Sequence, residues 1–428
     1  MTAEDNEYRR RQRQRAQERK KREAAKRRFW LRLLAAGVIL LGCGLLIWLV
    51  TTEDGEPAST GRVETTQPPA AVAQSAAGPR TTVSVAVAGD VNVNDATVAA
   101  GKTPSGYDYS QVFQDVVPLL TNADLTVVNF EGNLCGAPYG TETASAPQEL
   151  MEYLAGVGVD MVQMANSYSI HNGLLGLSAT LEGIRATGME PLGAYASRDE
   201  FRRSQGYTIR EVDGIRIAFV AFTKGMGNLG LPAGSENCVN VLYDDYATTY
   251  QNVAKEKIRS ILSAVADAQP DYTIALLHWG SEYNDERSSS QEEIRDLMFQ
   301  NGVDAIVGTH SHMVQQVVFD REAGTFIAYS LGDFFGDAQK AGTNYSVVLR
   351  LEITRDNETG EVKLTDYTCT PVYNMKPEES GEPGLRLVRL NQAIQEYEEG
   401  YFNRVPEPLY ENMVYCRQKV TSRITGEG

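Results

Sequence analysis

The sequence predicts an α/β domain in which two sheets pack face to face with helices outside. Apolar strand-like runs alternate with amphipathic stretches from residue 81 onward, which is the pattern of α/β architecture. Consecutive strand-like segments then follow the last histidine, and strands added after an alternating half favour a second sheet laid on the first. A third observation concerns chemistry. His278, His310 and His312, three of the chain's four histidines, directly follow the apolar runs at 272–277 and 305–307. Strand ends in such folds open into a shared crevice, so these imidazoles are expected to meet in a place suited to a metal or a polyanionic ligand.

Residues 1–28 form a basic tail, and the first 32 residues hold 13 Lys or Arg against 5 Asp or Glu. Residues 29–50 read as a transmembrane anchor, because 33–50 carry no charge and are long enough to cross a bilayer core. A secretory signal peptide is the competing reading. It is less favoured because the apolar run is long for one and lacks a clear small-residue cleavage site. The cluster Lys20, Lys21, Arg22, Lys26, Arg27 and Arg28 precedes the span and is expected to keep the tail cytoplasmic, leaving the main domain extracytoplasmic at the cell membrane. Residues 51–80, rich in Pro, Ala, Thr, Ser, Gly and Gln without apolar period, read as a flexible linker.

Of the 40 basic and 56 acidic residues, 27 and 51 lie beyond position 32, so the outer part is strongly acidic. That balance argues against nucleic acid as a partner, and an anionic substrate would need a local positive site such as a metal ion. Cys43 lies in the expected span; Cys135, Cys238, Cys369 and Cys416 lie outside it. Four thiols allow three full pairings. A Cys369–Cys416 bridge would staple the C-terminal extension, while four isolated thiols fit equally well.

Within the expected domain, residues 81–375, the apolar runs fall at 83–88, 112–120, 125–130, 150–154, 161–164 and 174–184. A hairpin is expected from 207–212 and 215–222 around Asp213-Gly214, a pair suited to the left-handed conformations of a two-residue turn. A long helix is expected over 246–268. Strands are expected at 314–319, 325–331, 345–354 and 362–370, with a turn at 356–360. Residues 376–428 form a C-terminal extension with an acidic loop and one or two helices.

Polar groups recur where the apolar runs stop: Gly89-Asp90, Asn129-Phe130-Glu131, Ala165-Asn166, His278-Trp279-Gly280-Ser281-Glu282, Gly308-Thr309-His310-Ser311-His312 and Tyr329-Ser330-Leu331-Gly332-Asp333. Singly, each has a plain structural reading. Gly-Asp ends many strands as a turn, Trp279 and Phe334 suit packing, and His171 suits a hydrogen-bonded structural role. Two histidines two apart on extended backbone, however, place both rings on one face, which favours chelation. The mixed imidazole, carboxylate and amide set suits manganese, zinc or iron better than calcium. Neutral imidazoles are required, so metal occupancy is expected to fall as pH drops through about 6 to 7.

In this order, over about residues 81–335, these segments resemble the CapA or PgsA family of capsule synthesis proteins, associated with poly-γ-glutamate capsules. The resemblance implies a four-layered α/β/β/α sandwich of the metallo-dependent phosphatase type with two metal ions at strand ends. It implies that Asp90 and His312 hold one ion, that Asn166, His278 and His310 hold the other, and that Glu131 bridges them. Glu282 and Asp333 would orient substrate. The chain departs from the family at Tyr168, where a histidine is usual, at His171, where an aspartate is usual, and at Asp333, where an asparagine is usual. His171 would then stand in as the catalytic imidazole from one turn away, or the chemistry is weakened; Asp333 is expected to cap a turn rather than bind metal. The implied role is a membrane-anchored component of capsule or poly-γ-glutamate biosynthesis acting on an anionic polymer. The alternatives are a non-catalytic partner of a membrane-bound polymer synthase or exporter, and a general extracellular metallophosphoesterase.

Overall fold

Every position from Val85 to Val91 is buried in β1 (Arg80–Asn92), because this strand sits mid-sheet with both faces covered. The structure, a computed structural model, describes residues 79–380, 384–400 and 405–426. The basic tail, the expected anchor and all but the last residues of the linker lie outside the described residues. Among those described, no helix is long and apolar enough to cross a membrane.

After β1 come a two-strand ribbon of β2 (Lys102–Thr103) and β3 (Gly106–Tyr107), then β4 (Leu125–Glu131), β5 (Met161–Gln163) and β6 (Glu190–Leu192). Next are β7 (Tyr207–Val212), β8 (Ile215–Thr223), β9 (Tyr272–His278), β10 (Ala305–Thr309), β11 (Val317–Asp320) and β12 (Thr325–Ala328). The last three are β13 (Tyr345–Asp356), β14 (Val362–Met375) and β15 (Arg386–Arg389). The first sheet has the order β15-β14-β13-β1-β4-β5-β6, and the second β11-β12-β10-β9-β8-β7. Strands β1, β4, β5 and β6 run parallel, as do β8, β9, β10 and β12, so each sheet gathers its carboxyl ends at one edge.

Alternation along β8 builds the layers. Ile217, Phe219 and Ala221 join the core shared with Val85 and Val127 of the first sheet. Ala218, Val220 and Phe222 face the other way, onto Ile258 and Leu262 of the helix Lys255–Asp267 and Ile294 and Met298 of the helix Ser289–Gln300. On the first sheet, the helix Gly173–Ala186 lies on β6 and against the helix Gln148–Gly156. Four layers result, helix on sheet on sheet on helix.

Of the expected apolar runs, 112–120, 150–154 and 174–184 are helical and the others are strands. The hairpin forms around Asp213 and Gly214, at φ of 49° and 76°. The expected helix over 246–268 starts only at Lys255. The Asp245 carboxylate accepts hydrogen bonds from the Gln251 and Asn252 amides, at 2.8 and 2.9 Å, and from the Thr249 hydroxyl. These bonds close a loop with Tyr250 at φ 55°, which competes with helical hydrogen bonding.

Beyond residue 375, β15 completes the edge of the first sheet. The helices Leu390–Glu398 and Glu407–Thr425 bury Ile394, Leu409, Met413 and Val420 in the same core. Arg386 of β15 pairs with Asp115 at 2.7 Å. Packing, not a bridge, ties down this segment, since Cys135, Cys238, Cys369 and Cys416 are all unpaired.

Asp304 leads into β10 and accepts from the Thr273 amide at 2.7 Å, and burial pushes its carboxyl up to about 6. The native state therefore holds this proton more tightly than an unfolded chain, whose aspartates titrate near pH 4, so the group's stabilising contribution is lost as pH rises from about 4 through 6. Asp304→Asn keeps the acceptor and removes the buried charge. Thermal melts of the full chain are expected to show stabilisation at pH 7.5, by at most about 3 kcal/mol, shrinking toward zero near pH 4.

Candidate metal centre

Close backbone approach brings the strand ends together. A side chain at Gly89 would place its Cβ 1.9 Å from the Gly332 carbonyl oxygen, and one at Gly308 would place it 1.9 Å from the Tyr329 oxygen. Glycine is therefore required where Gly89-Asp90 and Gly308-Thr309 pass the segment after β12. Trp279 fills the space behind, buried, with its indole donating to the Tyr329 carbonyl at 2.9 Å. Thus β1 delivers Asp90, β4 delivers Asn129 and Glu131, and β5 leads to Asn166. From the second sheet, β9 delivers His278, β10 leads to His310 and His312, and β12 leads to Asp333.

Asp90, Glu131 and His278 bring ligand atoms within 4.8 Å of one another, and Asp90, His312 and Asp333 do the same. Asp90 is common to both groups. The carboxylate shared between the two halves is thus Asp90, whereas Glu131 belongs to one. Asn129 sits at the hub: its amide nitrogen donates to Asp90 at 2.6 Å and lies 3.3 Å from Glu131, and its oxygen accepts from Asn166 at 3.1 Å. His278 has Nδ1 3.0 Å from the Thr309 hydroxyl, which leaves Nε2 facing His310 Nδ1 at 3.0 Å, the Ser167 hydroxyl at 3.0 Å and Glu131 at 3.6 Å. His312 Nδ1 lies 2.7 Å from Asp333, which also accepts from Asn92 at 2.9 Å.

Burial first, then the Asp333 charge, pushes Asp90 up to about 6. Burial and the Asp90 charge raise Glu131 as well. Burial holds His278 and His310 well below the usual imidazole range. Burial also opposes charge on His312, yet the Asp333 carboxylate, helped by Glu131 and Asp90, outweighs it and raises this imidazole to about 10. Of the three buried carboxylates, Asp333 is the one paired with a cationic side chain, that of His312. Beside them, neutral His278 and His310 aim ring nitrogens at a common point with a Glu131 oxygen. That donor set fits divalent cations: bound metal would balance the surplus negative charge, and the converging nitrogens would serve as ligands.

The expected site residues divide into a buried cluster and an exposed rim. Asp90, Glu131, Asn166, His278, His310, His312 and Asp333 converge, with Asn166 tied in through Asn129 and its own oxygen accepting from the Tyr168 amide at 3.0 Å. His310 and His312 do not share a face of extended backbone. They stand at φ of 92° and 59° in a turn after β10, so one ring meets His278 and the other Asp333. Nor does the Asp333 side chain cap its own turn, since its oxygen is held by His312 and Asn92. Glu282 and His171 are exposed on the wall of a cleft of about 930 Å³, into which His310, His312 and Asp333 also open.

Sequence reasoning missed Asn129, Ser167 and Thr309 as partners of the cluster, and also Lys224 and Tyr283. Lys224 directly follows β8, much as His278 ends β9, so a lysine closing an apolar strand run was its signal. Burial draws its ammonium below the usual lysine value.

A family model described as bacterial capsule synthesis protein PGA_cap matches residues 84–338. The chain belongs to this family. The family match covers every member of the buried cluster. The capsule biosynthesis protein CapA of Bacillus anthracis is 26% identical over 262 residues, which cover 59% of this chain and 60% of that protein. The PGA biosynthesis protein CapA of Bacillus subtilis (strain 168) is 26% identical over 263 residues, covering 59% and 64%. The chain thus spans under two thirds of the length of either relative. Among solved structures, a phosphatase from Mycoplasma pneumoniae is similar at 14% identity and a TM-score of 0.44, covering 70% of this chain and 96% of that one. The calcineurin-like phosphoesterase YfkN from Bacillus subtilis is similar at 15% identity and a TM-score of 0.39, covering 68% and 91%.

Because Asp90 serves both groups, Asp90→Asn is expected to abolish binding of two equivalents of metal, whereas Asp333→Asn removes about one. Elemental analysis of the purified full chain after manganese or zinc loading checks this. The pH dependence also differs from a simple histidine titration. His278 and His310 are already neutral, so affinity is expected to fall as pH drops through about 6, where Asp90 takes a proton, and to keep rising above neutrality as His312 loses its own. Metal titrations from pH 5 to 9 with an affinity plateau above pH 7 would contradict this.

Proposed function

We propose that this chain is a membrane-anchored, extracytoplasmic component of capsule or poly-γ-glutamate biosynthesis with a metal site of the metallo-dependent phosphatase type acting on an anionic polymer or its linkage. The supporting observation is the pair of buried ligand groups sharing Asp90 at the floor of an open cleft, in a chain of the capsule synthesis family. Two divalent ions there, manganese, zinc or iron, would supply Lewis acidity and an activated water.

Charge explains why metal and polymer belong together. The cleft is lined by Glu131, Glu282, Asp333 and Asp337 against Lys224 and Lys340. An anionic chain would be repelled by that wall unless the floor carried cations. In this reading Asn129 and Thr309 fix the orientation of the ligands, and Glu282 faces the incoming chain from the rim. The basic tail and apolar span hold the domain beside a membrane-bound synthase or exporter.

One observation favours a second reading, a non-catalytic partner of that machinery. Tyr168 stands on the cleft wall where the family resemblance implies a histidine, and burial pushes its phenol up to about 12. Such a group donates a hydrogen bond but exchanges no proton near neutral pH. His171, with its ring 5.6 Å from that of Tyr168, lies on the cleft wall outside the buried cluster.

Replacing His310 and His312 together by alanine is expected to remove bound metal and to lower polymer output of the host cells by roughly tenfold or more. Elemental analysis paired with polymer quantification tests it. Metal loss with unchanged output would sink the catalytic reading in favour of the partner role.

A further inference from the structure

Two lysines on the cleft wall are held in the same unusual way. Lys224 places its ammonium 4.7 Å from the centre of the Tyr250 ring, and Lys340 places its own 3.3 Å from that of Tyr283. Neither forms an ion pair among the described residues, although the chain carries a net charge of −16 and acidic side chains line the same cleft. A lysine over a phenol face is oriented without being neutralised, so its charge stays available to a ligand.

Each lysine is also tied to one half of the buried cluster. Lys224 follows β8 and donates to the Gly280 carbonyl at 2.6 Å, two residues beyond His278. Lys340 comes from the loop beyond Asp333, and its platform Tyr283 stacks on His312 with ring centres 5.2 Å apart and planes 19° apart. Tyr283 is itself fixed, its amide donating to the Ser311 carbonyl at 2.8 Å. The ammonium groups therefore flank the metal ligands from two different loops that open into one cleft.

We infer that Lys224 and Lys340, each presented over a tyrosine ring, are specificity-determining residues that grip successive anionic groups of an extended polyanion on either side of the metal ligands. This rests on the functional reading above and adds to it the side chains that grip the repeating negative groups of the chain. A single small phosphoester would engage the floor and leave at least one of these lysines unused. Among the described residues no arginine lines the cleft, so there the two ammonium groups carry its positive charge apart from the histidines.

The test uses the full chain in detergent, loaded with manganese, and three fluorescent probes: a poly-γ-glutamate oligomer, a polyphosphate of matched charge and a neutral dextran. Lys224→Gln and Lys340→Gln are each expected to weaken polyanion binding roughly tenfold with metal content unchanged. Lys340→Arg should retain most of it. Stronger retention of the oligomer than of polyphosphate identifies carboxylates as the anions gripped, and the reverse order identifies phosphates; either result supports the lysine grip. Wild-type affinity in both Gln variants, with metal bound, overturns the lysine proposal and leaves the functional reading standing. A wild-type chain that binds metal but no polyanion overturns both. Weakened binding accompanied by metal loss overturns the proposal too, since the lysines would then be supporting the metal ligands.

Discussion

Three carboxylates buried side by side at the seam between two sheets set the terms for the rest of this structure. Asp90, Glu131 and Asp333 approach one another there, and burial with the neighbouring negative charge raises the proton affinity of Asp90 and Glu131. The surrounding residues are arranged to make that placement tolerable. Asn129 spends its amide hydrogens on Asp90 and Glu131, the His310 amide donates to Asp90 at 3.2 Å, and His312 answers Asp333 with a charge. Only donors on rigid strand ends hold such distances, which is why the site needs both parallel arrays with their carboxyl ends aligned.

Local strain follows from the same requirement. His310 and His312 both adopt left-handed backbone, uncommon for residues with a side chain and costing about 1 to 3 kcal/mol each. That geometry turns one ring toward His278 and the next toward Asp333 from a single short loop, which an extended strand, with both rings on one face, does not achieve. Gly89 and Gly308 serve the same end from below, letting the segment after β12 pass at backbone contact distance so that Asp333 reaches the first sheet's Asn92.

The strand-end motifs were legible because each lies where an apolar run stops, and a parallel sheet turns that linear rule into spatial convergence. Asp213-Gly214 was legible for a local reason as well, since its turn depends on two residues only. What stayed hidden depended on partners distant in sequence. Nothing in the 246–254 stretch announces that the Asp245 carboxylate will bind three groups and delay the helix to Lys255. The shared role of Asp90 arises from two sheets meeting, and Asp333 seen alone is an ordinary turn residue until His312 and Asn92 reach it. Asn129 looked like a neighbour of Glu131, though its side chain joins Asp90, Glu131 and Asn166. The basic tail and apolar span, plain in composition, lie outside the described residues.

The family match ends at residue 338, but the cleft does not. Lys340 and Thr343 line it, and the loop carrying Tyr283 is braced from farther still. Arg423, on the C-terminal helix Glu407–Thr425, pairs with Asp285 and with Glu286, the latter at 2.8 Å, while Gln315 donates to the Asn284 and Glu286 carbonyls at 2.9 and 3.0 Å. The ligand cluster thus belongs wholly to the span shared with the family, while one wall above it is positioned by residues outside that span. The C-terminal helix bears on the 281–287 loop through Arg423 and on β14 through Asn412, which donates to the Tyr373 hydroxyl at 2.8 Å, so it braces both the wall that carries Tyr283 and the first sheet.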